Sequence, residues 1–325
     1  MRIAVAIHDL PVWSIPRGQV ERIVRSLPGD VIVDAREADE RRRAFADADV
    51  AFATKMSAAE FALARNLRWV HSSAVGIGPV LSPALVASPV VVSNSRGIHS
   101  PAIAEHAIAL VLALRRSIHT SVSRQAAREW AQVELESVPV RPLAETELLV
   151  VGLGTIGERV ARMAAALGMR VTAVRRRVDA TAPGGVTAVG GPDELADLLP
   201  SADVVVLAVP TTDETKALIG PAELARMKPT AIIVNVARGK LIDEDALADA
   251  LEARRIAAAG LDAFRVEPLP PEHRLWALPN ALITPHSASF TGDYWTPVVD
   301  LFLDNVARFK RGAPLVNLVD KVRGY

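Results

Sequence analysis

Along almost the whole chain, short β-branched and apolar runs alternate with stretches whose apolar positions recur at helical spacing. The runs at 3–7, 31–33, 50–53, 69–71 and 90–92 predict five strands, with helices between them, as at 19–26 and 58–64. Such alternation predicts a parallel sheet covered by helices on both faces. A helix is predicted at 100–117. It is apolar almost all round and so expected between layers, with Ser100 as N-cap and Pro101 in the first helical position. After a looser stretch with Trp130, Pro139 and Pro142, the alternation resumes. Strands are predicted at 148–151, 170–174, 204–208, 231–235, 258–261 and 281–284, the rhythm of a doubly wound dinucleotide domain. A last helix falls near 297–310. Two α/β units fit a chain of 325 residues, which is more than one ordinary core holds.

The turn after the strand ELLVV reads G-L-G-T-I-G, and the helix IGERVARMAAALG follows directly, ended by Gly168. That setting turns a common pattern into a specific one. Gly152 allows the tight turn, Gly154 lets a pyrophosphate approach the backbone, and Gly157 lets the helix sit against the strand. The N–H groups at the helix start then face the phosphate. NAD-binding proteins usually end the next strand with an acidic residue that bonds the adenosine ribose. Here that position is Arg175, followed by Arg176 and Arg177. A carboxylate would repel a 2′-phosphate, whereas an arginine fork accepts it. The three arginines therefore predict NADPH ahead of NADH. The competing reading is an exposed basic loop on an enzyme that takes both.

Three later segments each place one functional group just after a strand. They carry Arg238 in AIIVNVARGKLIDEDAL, Asp262 and Glu267 in AAAGLDAFRVEPLP, and His286 in NALITPHSAS. Ligands of open α/β sheets bind outside the carboxyl ends of the strands, so these groups could meet there. Their chemistry suits a 2-oxo acid. Arginine offers a flat fork to a carboxylate. Histidine can supply a proton near neutral pH, and a carboxylate beside it would favour imidazolium. The other histidines, among them His8, His71, His99 and His106, are read as ordinary polar contacts.

Composition narrows the classes. With 37 basic and 37 acidic residues, the chain has no electrostatic footprint for nucleic acid. The basic cluster ERRRAF around Arg41 is read as a solvated helix face. The absence of cysteine removes disulfides, thiolate catalysis and cysteine-bound zinc, and no metal site is expected. No segment has the length and apolarity of a membrane span, and the start lacks the pattern of a signal peptide, so a cytoplasmic protein is expected.

The pieces GLGTIG, ADVVVLAVPTTDETKALI, MKPTAIIVNVARGKLIDEDAL, GLDAFRVEPLP and LPNALITPHSAS, with SNSRGIHSPAIAEHAIALVLALRR before them, make a very specific set. Over most of residues 94–318 the chain resembles the D-isomer-specific 2-hydroxyacid dehydrogenase family. The resemblance implies Arg238 as substrate anchor, His286 as general acid/base and Glu267 as its partner. It implies that backbone amides at Val75 and Gly76 hold the substrate carboxylate, and that Asp262 meets the nicotinamide side. Thr155, Ile156, Val209, Pro210 and Ala237 join the glycines and arginines as expected cofactor contacts. The implied architecture is a Rossmann cofactor domain at 99–287, inserted into a flavodoxin-like substrate domain at 1–98 plus 288–325. A cleft active site, closure about a hinge and a homodimer built on the long helix region are implied with it.

Two departures matter. Arg175 replaces the ribose carboxylate, as in the family's NADP-using glyoxylate and hydroxypyruvate reductases. Ile77 and Gly78 stand where an acidic residue often follows the AVG loop. The implied reaction is reduction of glyoxylate, hydroxypyruvate or a similar 2-oxo acid to the D-2-hydroxy acid. Two alternatives remain. One is a dinucleotide-sensing protein like the family's corepressors, which carry tails or peptide-binding features not seen here. The other is a formate- or phosphite-type dehydrogenase. Glu267 argues against formate, whose enzymes place Gln there.

Overall fold

The computed structural model describes residues 1–7, 13–136, 138, 141–178 and 181–325, so His8 and Pro139 lie outside the described residues. The chain divides into two compact units, Met1–Ile98 with Thr291–Tyr325, and His99–Phe290. No helix among the described residues is long and apolar enough to cross a membrane.

The first unit holds strands β1 (Arg2–Ala6), β2 (Val31–Asp34), β3 (Val50–Ala53), β4 (Trp69–Ser72) and β5 (Val91–Asn94). They form one parallel sheet in the order β2-β1-β3-β4-β5. Successive side chains enter two separate cores, as the period of a strand requires. Ala4, Ala51, Val70 and Val92 face one side, and Ile3, Val5, Val50, Phe52 and Trp69 face the other. The helix Trp295–Lys310 returns from the far end of the sequence to close the second side. Its Phe302 stacks on Phe52 at 4.3 Å and lies 5.6 Å from Trp69. The tail after it runs along β5, where Val319 N–H donates to the Val92 carbonyl, so this sheet edge is not left open.

One expectation fails in this unit. Arg41 is buried, and its Nε and Nη2 donate to Glu60 Oε1 at 3.0 and 2.6 Å. Of the three arginines, Arg42 and Arg43 are exposed, as is Glu40 beside them. A charge run cannot reveal that one member finds a carboxylate 19 residues later.

The second unit holds β6 (Glu147–Val151), β7 (Arg170–Val174), β8 (Val186–Gly190), β9 (Val204–Leu207), β10 (Ile232–Asn235), β11 (Ala258–Leu261) and β12 (Ala281–Ile283). The order is β12-β11-β10-β9-β6-β7-β8, all parallel. The sequence predicts six strands, and β8 is the seventh. It is a partly exposed edge strand whose alternation is broken by a register shift, so its apolar signal is weak. Leu149, Val151, Val205 and Ile233 pack on one face, and Leu148, Val150, Val204 and Ile232 on the other. Burial on both faces is why these strands read as unbroken apolar runs. The helix Ser100–Arg115 packs on the second face through Ile103, Ala107 and Val111. Ser100 is not its N-cap. His99 holds that position without a side-chain cap bond, and the Ser100 hydroxyl donates to Thr155 Oγ1 at 2.9 Å.

His71, on β4, is fully buried. Trp69 Nε1 donates to Ser93 Oγ at 2.9 Å, and that hydroxyl lies 2.7 Å from His71 Nδ1. Burial lowers the His71 pKa to about 3. The unfolded chain takes up this proton below pH ~6.5 while the folded ring refuses it, so stability falls as pH drops from there toward 3. Between pH 7 and pH 5 the unfolding free energy should drop by about 2 kcal/mol from this group. Urea unfolding at the two pH values should show a smaller drop in His71→Asn. An equal drop in both proteins would refute the assignment.

Candidate active site

The strand order reverses beside β6, which has β7 on one side and β9 on the other. Such a switch point opens a crevice at the carboxyl ends of the strands. The glycine turn begins there. Gly152 has φ +104°, and a Cβ on it would lie 2.6 Å from Val209 Cγ1 and 2.8 Å from the Ala208 carbonyl oxygen. A Cβ on Gly157 would lie 1.8 Å from the Gly152 oxygen. These two glycines are therefore demanded by packing. Gly154 differs, since a Cβ there would meet nothing within 4 Å. It is exposed, at the start of the helix Thr155–Ala166. A site that could take a side chain yet carries none, at an open helix N-terminus, fits a pyrophosphate. Thr155 is exposed beside it, and Ile156 is half-buried.

Arg175 follows β7 directly. Its N–H donates to the Gly190 carbonyl at 3.0 Å, which ties the start of the basic segment to the end of β8. Arg175 is half-buried, and Arg176 and Arg177 are exposed. Arg176 Nη2 lies 2.5 Å from Glu214 Oε2, a partner in the segment after β9 that sequence reading did not foresee. Val209 and Pro210 follow β9, and Ala237 follows β10. These residues offer a dinucleotide a phosphate cradle and cationic groups at one sheet edge.

Arg238 lies on the turn after β10. Asn235 shapes that turn, with its Nδ2 donating to the Arg238 carbonyl at 2.9 Å and its Oδ1 accepting from Ala237 N–H at 3.0 Å. Gly239 is the residue the sequence reading missed. A Cβ on it would lie 1.9 Å from the backbone carbon of Phe264, so only glycine lets the arginine turn close on the segment that bears Glu267. The R-G pair in the sequence was the available signal. Arg238 keeps solvent access yet is densely surrounded. Desolvation lowers its pKa from the usual arginine range, and the Glu267 carboxylate opposes that.

Glu267 and His286 meet directly, with Glu267 Oε2 2.7 Å from His286 Nδ1. Glu267 Oε1 accepts from Phe264 N–H at 2.8 Å, which fixes the carboxylate. Burial by itself would raise the Glu267 pKa. The bond to His286, the Phe264 amide and the charges of His286 and Arg238 together hold it below the ordinary value. An ionised carboxylate only accepts, so the proton between the two sits on Nδ1. Nε2 is then the ring atom that would exchange a proton with substrate. His286 itself has φ +52°.

Asp262, which directly follows β11, bonds to the segment that bears His286. It is buried, its Oδ1 accepts from Thr284 Oγ1 at 2.7 Å and from Ser287 N–H at 2.9 Å, and its Oδ2 accepts from Ala288 N–H at 3.0 Å. Its carboxylate thus grips the segment around His286. Arg238, Asp262, Glu267 and His286 all belong to the second unit. Val75 and Gly76 belong to the first, in the loop after β4, where the Val75 carbonyl accepts from Asn94 Nδ2 at 2.8 Å.

The family model described as D-isomer specific 2-hydroxyacid dehydrogenase, NAD binding domain, matches residues 108–288. A glyoxylate reductase from Korarchaeum cryptofilum is 36% identical over 267 residues, 80% of this chain and 78% of that protein. A D-3-phosphoglycerate dehydrogenase from Archaeoglobus fulgidus is 34% identical over 272 residues, 82% of this chain but 50% of its own length, so the chain spans half of that relative. Among solved structures, a D-isomer specific 2-hydroxyacid dehydrogenase from Xanthobacter autotrophicus Py2, in complex with NADPH and MES, is similar over 99% of both chains, with a TM-score of 0.84 and 31% identity.

The glycines give the sharpest local test. Gly154→Val should fold with a melting temperature close to the parent's and lose most dinucleotide affinity, because its side chain occupies the phosphate's place. Gly157→Ala should instead lower the melting temperature by several degrees, since its Cβ collides with backbone. Calorimetry and fluorescence titration with NADPH read the two effects. Full affinity in Gly154→Val would remove this turn as the phosphate site.

Proposed function

The chain belongs to the D-isomer-specific 2-hydroxyacid dehydrogenase family, and from that footing we propose that it reduces a small 2-oxo acid of the glyoxylate or hydroxypyruvate kind with NADPH. The bound nicotinamide supplies the hydride. The observation that carries the reading is the contact between Glu267 and His286 at 2.7 Å, close to the Arg238 turn. Arg238 offers its fork to the substrate's carboxylate and carbonyl, which neutralises charge and fixes the reacting face. His286 gives the Nε2 proton to the carbonyl oxygen as it becomes an alcohol, and Glu267 stabilises the imidazolium before that transfer. In the reverse direction the same ring receives the proton. A dinucleotide sensor would bind cofactor with negligible turnover.

The preference for NADPH rests on Arg175, Arg176 and Arg177, which occupy the place where a carboxylate would repel a 2′-phosphate. The relative from Xanthobacter autotrophicus Py2 was solved with NADPH, which supports the same reading. We also propose a homodimer formed through the helices after the long one. Ile118, Val122, Trp130 and Val133 are 49%, 58%, 90% and 81% exposed there, an apolar surface a lone chain would leave in water.

One set of measurements tests these statements together. Steady-state rates with glyoxylate, hydroxypyruvate, pyruvate and a bulkier 2-oxo acid should show turnover with the smaller ones. The kcat/KM with NADPH should exceed that with NADH by roughly ten-fold or more, about 1.4 kcal/mol per factor of ten. Replacing Arg175 with Asp and Arg176 with Ala should remove that ratio mainly through KM for NADPH. Equal use of both cofactors by parent and double variant would sink the cofactor assignment. No turnover with any 2-oxo acid would sink the reaction. Sedimentation at micromolar concentration should give a dimer, and a monomer would count against that interface.

A further inference from the structure

His106 lies on the long helix Ser100–Arg115 and stands apart from the reacting groups in sequence. Its Nε2 is 2.9 Å from Thr284 Oγ1 and 3.6 Å from Asp262 Oδ1. Thr284 Oγ1 is also 2.7 Å from Asp262 Oδ1. The carboxylate can only accept, so the one hydroxyl proton of Thr284 points at Asp262. Toward His106 that hydroxyl must accept, and His106 Nε2 must carry a proton. The direction of the whole relay follows, from His106 through Thr284 to Asp262.

Asp262 then holds the backbone of the histidine segment from its far side, accepting from Ser287 and Ala288 N–H. On the near side, His286 N–H donates to the Thr284 carbonyl at 3.0 Å, and Thr284 N–H donates to the Leu261 carbonyl at 2.9 Å. His286 between them has φ +52°, a conformation a side-chain-bearing residue rarely adopts without support. The clamp keeps this backbone in place, and with it the aim of the imidazole. Glu267 fixes the ring's Nδ1 edge, but it does not hold the peptide.

We propose that His106 is a positioning residue for His286. Its Nε2–H orients the Thr284 hydroxyl, which orients Asp262, and Asp262 locks the peptide that aims the His286 ring. The proposal rests on the reading of His286 as the proton donor in 2-oxo acid reduction. A displacement of the ring by a fraction of an ångström would slow proton transfer, while the glycine turn after β6 and the arginines after β7 stand on other strands.

His106→Leu removes the donor, and His106→Gln keeps an N–H of similar reach. The expected result for His106→Leu is a kcat about ten- to a hundred-fold lower, a KM for NADPH within two-fold of the parent, and a larger solvent deuterium isotope effect on kcat. His106→Gln should recover most of the rate. Thr284→Val should resemble His106→Leu, and the double variant should be no worse than either, because the residues act in one chain. The proposal is overturned if His106→Leu keeps kcat within two-fold. It is also overturned if His106→Leu and His106→Gln lose rate and melting temperature alike, or if the losses of His106→Leu and Thr284→Val add. His286→Ala, measured beside them, separates the two levels. If it retains turnover, the reading of His286 fails. If it is inactive while His106→Leu is unaffected, only the positioning role fails.

Discussion

Parallel pairing is the constraint on which everything else here depends. In a parallel sheet every strand ends on the same edge, so residues far apart in sequence reach one place if each stands just after a strand. The second unit uses that rule six times. Gly152 follows β6, Arg175 follows β7, Val209 follows β9, Arg238 follows β10, Asp262 follows β11, and His286 stands just past β12. The sheet can hold this register because both its faces are covered by apolar side chains, which leaves the carboxyl edge as the place where polar groups gather.

That rule also explains what the sequence made legible. The central strands, buried on both faces, appear as unbroken apolar runs, and the partly exposed edge strands β2 and β12 keep short β-branched or apolar runs; five predicted strand positions in the first unit and six in the second match observed strands within one residue or two at each end. Gly152, Arg175 and Asp262 directly follow such runs, and Arg238 and His286 stand three residues past them, whereas Glu267 lies further along the segment after β11. Where a signal depended on something else, it was lost. Strand β8 lies at an edge, half in water, and its register shifts. The burial of Arg41 depends on Glu60, whose proximity comes from the packing of two helices. Ser100 has the composition of a cap, yet Thr155, brought beside it by the fold, takes its hydroxyl.

The site shows the same division. The pairing of Glu267 with His286, which the family resemblance implies, is present as a direct contact. The grip of Asp262 on the backbone around His286 was not legible, because hydrogen bonds to main-chain amides leave no pattern in side-chain sequence. Gly239 was overlooked for a related reason. A glycine after an arginine looks like an ordinary turn until the neighbouring backbone of Phe264 is seen pressed against it. Polar side chains set after strands were legible, and the backbone contacts around them were not.

On the proposed reading, Glu267 and His286 work as one proton-handling unit. The most direct measurement is the pH profile of 2-oxo acid reduction in the parent and in Glu267→Gln. Glu267 is held ionised below the ordinary carboxylate range, so its charge faces the ring across the neutral pH range where reduction is measured. Without that charge the imidazolium is less favoured, and the decline of kcat/KM toward high pH should begin at lower pH in the variant. Superimposable profiles would contradict the account, because they would mean that the 2.7 Å contact does not influence the proton on His286.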